Sequence, residues 1–262
     1  HHNSSIVSND FVEGLGKREK RALKKMIPAE NETEGCISVC HGPGPCFERL
    51  NGFKHHVGRT MFETDRLPES WLPFMDTMDE IWVPSTFNRE TFIQSGVNPD
   101  KCSILPAGVD ATWFDPARHT PMKMPSEAGF RLLSVFEWIQ RKGWDVLLKA
   151  YMQEFKASDN VVLTLRASLS NHPEQGSAKA IQSCIIRMAR HLEINPEDLP
   201  RIELLPEAVP WQELPSMYLA SQCLVAPSRG EGWGRPQHEA MMMGLPVIAT
   251  NWSGTTEFLK AS

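Results

Sequence analysis

From residue 130 onward, short apolar runs alternate with helical stripes, and this alternation constrains the fold more than any other feature of the chain. Residues 130–136, 161–165, 202–205 and 223–226 are brief, bounded apolar segments of the kind that builds buried parallel strands. Between them, Trp144, Leu147, Leu148, Tyr151 and Phe155 recur at the spacing of a helix packed on a sheet. Ile181, Cys184, Ile185, Met188 and Leu192 form a second such stripe, and residues 213–221 read as a third helix. Strands alternating with helices predict an α/β fold with a parallel sheet.

The first half carries the same signals more weakly. Residues 36–40, 81–84 and 102–106 read as strands, and residues 85–95 as a helix ended by Gly96. Residues 106–129 are rich in Pro, Gly and polar residues and lack a sustained apolar period. The predicted organisation is an N-terminal domain over residues 1–110, a linker over 111–129 and a second domain over 130–262. Two doubly wound domains of about 150 residues each need more chain than this. Both are therefore expected to be incomplete, with exposed sheet edges and apolar faces.

Residues 222–258 carry the chemistry. An apolar run at 223–226 leads through Pro227 and Ser228 into a loop containing Gly230, Gly232 and Gly234, which lets the backbone turn tightly and approach a ligand. Pro236 suits the first position of a helix, Gly244 and Pro246 stop that helix after Met243, and residues 246–250 form the next strand. A helix N-terminus offers unpaired N–H groups and the positive end of a dipole, so a phosphate belongs there. Glu231 lies in the loop and Glu239 in the first turn of the helix. An ionised carboxylate only accepts hydrogen bonds. Beside a diphosphate it repels unless it faces hydroxyl donors, such as a ribose diol for Glu239 and a sugar ring for Glu231. The combination points to a nucleotide sugar; the alternative is an ordinary strand–loop–helix crossover with solvated glutamates.

The run Pro-Ser-Arg-Gly-Glu-Gly-Trp-Gly-Arg-Pro-x-x-Glu-Ala-Met at 227–241, followed by Gly-Leu-Pro-Val-Ile-Ala-Thr at 244–250, resembles the signature of retaining GT-B glycosyltransferases of family four, the glycosyl transferases group 1. Upstream, Gln140-Arg141-Lys142-Gly143-Trp144 after a strand is similar to the family's basic loop. The resemblance extends to 58–65 and 78–85, and to Ala107-Gly108-Val109-Asp110 with Phe114. It implies two Rossmann-like doubly wound domains facing across a cleft. It also implies Glu231 against the donor sugar and Glu239 against the ribose. Backbone amides around Gly232, Trp233 and Gly234 then meet the diphosphate or the sugar, with Lys142 against the diphosphate. Departure of a nucleoside diphosphate builds negative charge that a fixed cation stabilises; the alternative for Lys142 is a solvated loop charge. Arg141 and Arg235 are further candidates for the diphosphate, because this chain has Glu137 where many relatives carry a basic residue. Lys142, Glu207 and Glu231 all follow predicted strands and are expected at one cleft edge, with the loop 206–210 beside the nucleobase.

In relatives the N-terminal domain binds the acceptor. His41, after a predicted strand, is a candidate acceptor-side residue, although a histidine at a strand end also serves structure. Arg59, Glu63 and Asp65 are open to either reading. The function implied is transfer of a sugar, of hexosyltransferase type and with retention of configuration, from a nucleotide-diphosphate-sugar donor to a hydroxyl acceptor. Glu231, Lys142 and His41 are the catalytic candidates, and no metal or other cofactor is expected. Two other classes compete. One is a catalytically silent nucleotide-sugar-binding or scaffold protein. The other is a dinucleotide oxidoreductase, which the Gly-x-Gly-x-Gly spacing at 230–234 fits poorly.

A formal charge of −5 with 41% hydrophobic residues gives no call for nucleic acid as a partner, and no apolar stretch reaches the roughly 18 residues of a membrane helix. Cys36, Cys40, Cys46 and His41 cluster without the spacing of a zinc site, so reduced, buried cysteines are expected. No Asp-x-Asp motif is present to hold a metal against a diphosphate. The chain does not begin with Met, and its N-terminus is expected to be truncated. Sequons occur at Asn3, Asn31 and Asn251; a glycan at Asn251 would obstruct the donor loop, which favours a cytoplasmic active site.

Overall fold

The apolar runs form two wholly parallel sheets. The computed structural model describes Lys17, Lys20, Arg21 and residues 35–127, 129–168, 177–205 and 209–260, so Asn3, Asn31 and Glu207 lie outside the described residues. The first sheet contains β1 (Ile37–His41), β2 (His55–Arg59), β3 (Glu80–Val83) and β4 (Cys102–Ile104), in that spatial order. Strand β2 escaped the sequence reading. Its sequence His-His-Val-Gly-Arg has one strong strand former, and it becomes a strand because Val57 is buried and the ring of Phe47 packs on Gly58. Tertiary packing here overrides propensity. Helix Thr86–Gln94 matches the expectation, with Ser85 outside it as the cap: the Ser85 hydroxyl accepts the Asn88 N–H at 3.1 Å. Phe47, Met75, Met78, Ile81, Val83 and Phe92 form the core on one face of this sheet. At its edge, Ile37 and Val39 are 61% and 50% exposed.

The second sheet comprises β5 (Phe130–Glu137), β6 (Val161–Ser168), β7 (Ile202–Leu204), β8 (Cys223–Ala226) and β9 (Val247–Ala249), in the order β7-β6-β5-β8-β9. Helices Trp144–Glu154 and Ser177–His191 cover one face through Leu147, Leu148, Tyr151, Ile181 and Ile185. Helices Leu214–Leu219 and Arg235–Met242 cover the other through Met217, Tyr218 and Ala240, against Leu133 and Leu224. The chain leaves β5 on one side for β6 and β7, then returns to the other side for β8 and β9. The strand order therefore reverses between β5 and β8, which opens a crevice beyond their carboxyl ends.

Several local expectations need correction. The helix predicted over 213–221 divides into a 3-10 turn, Trp211–Glu213, and helix Leu214–Leu219, with Pro215 in its first turn. Pro236 takes the second helical position, not the first, because Arg235 already begins the helix; an N–H is dispensable at either place. Cys102 and Cys223 are buried as expected, but Cys36 and Cys46 are exposed, one just before the edge strand β1 and the other in a surface turn. Within 111–129 the apolar residues dock one by one. Phe114 is buried in the second core, Trp113, Met122 and Met124 pack against it, and the Met122 N–H donates to the Ser216 carbonyl at 3.0 Å.

A buried charge crosses the base of the second sheet. Arg131, 4% exposed, donates to Glu203 Oε2 at 2.8 Å, to the Thr164 hydroxyl and to the Ser126 carbonyl.

Two aspartates tie stability to pH. Hydrogen bonds from the Arg49 guanidinium and the His56 N–H hold Asp79 down at about 2, and the Arg229 guanidinium lowers Asp145. A depressed native pKa contributes stability that is full above the unfolded value of about 3.9 and is lost as pH falls toward the native one. The urea midpoint should therefore drop from about pH 4 to pH 2 on account of these aspartates, below the separate decline that begins near pH 6.5, where the depressed His41 and His238 resist protonation in the folded state. Asp79→Asn is expected to flatten that drop; an equally steep fall in the variant would remove Asp79 as a cause.

Candidate active site

The two loops that flank the crevice are built to touch. After β5 the chain makes a 3-10 turn, Gln140–Lys142, and reverses at Gly143, whose φ of +71° suits glycine. A Cβ at Gly143 would lie 2.1 Å from the Pro227 carbonyl oxygen, so only glycine lets the loop after β8 come this close. The Arg229 N–H donates to the Arg141 carbonyl at 2.7 Å. The Arg229 guanidinium grips Asp145 through bonds of 2.8 and 2.7 Å and the Gln140 carbonyl at 2.7 Å.

Glu231 sits at the centre of this contact and is only 7% exposed. Lys142 Nζ lies 2.7 Å from both carboxylate oxygens, the Ser228 hydroxyl donates to Oε1 at 2.6 Å, and Arg141 reaches Oε2 at 3.4 Å. The backbone is held as firmly. The Glu231 N–H donates to the Ser253 hydroxyl at 2.9 Å and the Glu231 carbonyl accepts the Gly254 N–H at 2.9 Å. Ser253 has φ of +69°, an uncommon conformation for a residue with a Cβ, stabilised here by the contacts around Glu231.

Gly234 precedes helix Arg235–Met242, and Glu239 stands in its second turn, not its first, at 5% exposure. Glu239 accepts the Tyr218 hydroxyl at 2.9 Å and is approached by Arg235 at 3.2 Å. Burial, reinforced by the Glu239 charge, raises Tyr218 far above the ordinary phenol range, so it remains a donor. The Trp233 side chain turns inward: its Nε1–H donates to His238 Nδ1 at 3.1 Å, and the His238 ring stacks on Phe258 with centroids 4.8 Å apart. Burial lowers the His238 pKa, against an opposing pull from Glu239, which agrees with a neutral ring accepting at Nδ1.

The first sheet closes over these loops. A Cβ at Gly230 would lie 2.2 Å from the Glu63 carbonyl oxygen, and one at Gly232 would meet the Met61 side chain. The Glu63 carboxylate binds Arg141 at 3.2 Å. Farther along, the Thr86 N–H donates to Glu257 at 2.7 Å and Phe87 packs on Trp252 at 4.9 Å. His41 ends β1 and lines a cavity of about 300 Å³ together with Thr60, Met61, Phe62, Glu63 and Trp71. Desolvation, then the charge of Arg59, lowers the His41 pKa.

The structure thus brings Glu231, Lys142, Arg141 and Gly232 into one cluster and sets Glu239 and Arg235 together on the adjoining helix. It places His41 in the neighbouring cavity. Ser228 and Ser253 join the cluster, and Tyr218 joins Glu239, without having been singled out; Glu63, open to either reading from sequence, joins through Arg141. Ser253 was legible only as the last residue of a sequon. Among the described residues, no group of three or more His, Cys, Asp or Glu side chains is placed to hold a metal ion.

The family described as glycosyl transferases group 1 matches residues 130–262, half of the chain and all of the second-sheet loops just described. The chain belongs to this family. A curated relative, the D-inositol 3-phosphate glycosyltransferase of Rhodococcus opacus strain B4, is 31% identical over 164 residues, covering 61% of this chain and 34% of that protein. The chain spans about a third of the length of the curated relatives it matches. Among solved structures, the UDP-forming α,α-trehalose-phosphate synthase of Burkholderia xenovorans superposes with a TM-score of 0.63 at 14% identity, over 90% of this chain and 62% of that one. The Anabaena protein HepE, in complex with UDP and glucose, gives 0.59 at 16% identity, over 79% and 56%. The shared architecture is the GT-B fold, and the two parallel sheets correspond to its two Rossmann-like domains. Among the described residues, no helix is long and apolar enough to cross a membrane.

Proposed function

We propose that the chain transfers a sugar from a nucleotide-diphosphate-sugar donor to a hydroxyl acceptor, as a hexosyltransferase that retains anomeric configuration in the manner of family four. The observation that carries this reading is the buried Glu231–Lys142 pair between the carboxyl ends of β5 and β8, beside the start of helix Arg235–Met242. The curated relatives are named as glycosyltransferases, and the HepE structure holds UDP and glucose; both support a nucleotide-sugar donor.

In this mechanism the donor diphosphate lies at the N-terminus of helix Arg235–Met242 and takes Lys142 from Glu231. The Glu231 carboxylate, still oriented by Ser228, then accepts hydrogen bonds from the donor sugar. Glu239, held by the Tyr218 hydroxyl, accepts from the ribose diol. As the glycosidic bond breaks, charge gathers on the diphosphate, and Lys142 with Arg141 stabilises it. The acceptor hydroxyl approaches from the first sheet, on the side of His41, and its proton passes to the departing diphosphate. Lys142, Arg141 and the helix supply the positive charge, so no metal is required in this scheme.

The test is calorimetry on the full chain with UDP-glucose, GDP-mannose and NAD, followed by measurement of nucleoside diphosphate release in the presence of hydroxyl acceptors. Nucleotide-sugar binding with release is the expected result. Binding without release identifies a silent binder, a reading that Glu137 at a customary basic position favours. Preference for NAD overturns the donor assignment.

A further inference from the structure

The cavity beside the donor loops has a chemistry of its own. It lies beyond β1 and β2, and its volume of about 300 Å³ is at the small end of ligand sites, which run from roughly 300 to 1,000 Å³. One wall is aromatic: Phe62 and Trp71 meet edge to face with centroids 4.9 Å apart. That pair is fixed from behind. The Phe62 carbonyl accepts the Asn88 side-chain N–H at 2.6 Å, and the Trp71 ring packs so closely on Gly44 that a Cβ there would be 2.9 Å away. The polar lining comprises Thr60, His41 and Glu63, with no Lys or Arg among the lining residues.

The cavity adjoins the donor site through Glu63. Glu63 binds Arg141, which itself holds the Gly230 carbonyl at 2.8 Å and reaches Glu231 at 3.4 Å, while Lys142 pairs with Glu231, so two cations stand against two carboxylates and no positive charge is in surplus. Rigid aromatic faces suit the C–H face of a sugar ring, while a carboxylate and a hydroxyl suit its hydroxyl groups. A phosphate here would have to compete with Glu63 for Arg141.

We propose that this cavity receives the acceptor as an uncharged, sugar-like polyol, stacked on Trp71 and Phe62 and hydrogen-bonded by Glu63, Thr60 and His41, and that it rejects phosphorylated acceptors. This rests on the transferase reading above. It sets the chain apart from its curated relatives, whose name specifies an inositol phosphate. Arg59 ends β2 opposite His41 but does not line the cavity.

The test compares methyl α-glucoside with methyl α-glucoside 6-phosphate as probes of the full chain, by saturation-transfer NMR, with UDP binding measured in parallel. The neutral glycoside is expected to bind at least about 10-fold more tightly than its phosphate. Trp71→Ala should abolish glycoside binding and leave UDP binding intact. Should Trp71→Ala not fold, Glu63→Gln provides the second arm: removing the negative charge should strengthen the phosphorylated probe, an effect that a purely structural role of Glu63 does not produce. Tighter binding of the phosphate, or UDP binding with no glycoside binding, overturns the proposal. Glycoside binding with no nucleotide binding instead overturns the donor reading on which it stands.

Discussion

Lys142→Ala is expected to lower sugar transfer by at least about 100-fold, the usual effect of removing one charge-stabilising group from a transition state. The loss should appear in kcat at saturating donor, because the charge that Lys142 neutralises is largest as the diphosphate departs. Glu231→Ala should be comparably impaired, with a larger share of the loss in donor KM if the carboxylate binds the ground-state sugar. Stability offers a separate readout. Lys142 lies 2.7 Å from both oxygens of a buried carboxylate, so truncating it strands Glu231 with Ser228 and Arg141 and costs about 1–3 kcal/mol. Combining Lys142→Met with Glu231→Gln removes both charges and should recover most of that stability without recovering turnover. If Lys142→Ala and Glu231→Ala both retain full turnover, the assigned roles are wrong.

Arg131→Ala should produce the largest loss of stability, about 3–5 kcal/mol, because it leaves Glu203 charged and largely buried beside a fully buried Thr164 hydroxyl. That is a substantial part of the roughly 5–15 kcal/mol that holds a domain together. The pair itself need not be stabilising, since two desolvated ions often break even against apolar residues of similar volume. Arg131→Met with Glu203→Leu should accordingly lie close to the parent protein. Urea denaturation followed by tryptophan fluorescence distinguishes these outcomes. A single-variant loss below about 0.5 kcal/mol, the range of an ordinary surface change, would mean that Arg131 is solvated in solution.

The parts of the fold legible in the chain were those with a strong local period. The stripe from Trp144 to Tyr151 and the apolar runs at β5, β6 and β8 each announce their own structure, because burial of one face imposes the spacing. Strand β2 was silent for the opposite reason. Gly58 becomes a buried strand residue only once Phe47, eleven residues away, covers it, and His56 once its ring meets the Leu50 backbone. The candidate site divides in the same way. Glu231, Glu239 and Lys142 could be singled out because a glycine loop, a helix start and a basic turn lie close to them in sequence. Tyr218 and Ser253 could not, and Glu63 could be named without its partner, since each reaches that partner across a strand, a sheet or the cleft.

The chain alone determined that strands and helices alternate, that a glycine loop opens a helix between β8 and β9, and that two carboxylates stand near a phosphate-sized helix end. These follow from backbone permissiveness and hydrophobic period, which are local properties. Tertiary structure alone decided that the order of strands reverses between β5 and β8. That reversal carries Lys142 to Glu231 across 89 residues of sequence and makes a solvated loop charge into a buried ion pair. It also decided that Glu63 of the first sheet joins Arg141 of the second. Such contacts depend on which surfaces meet after the sheets have formed, and no spacing within one segment encodes that.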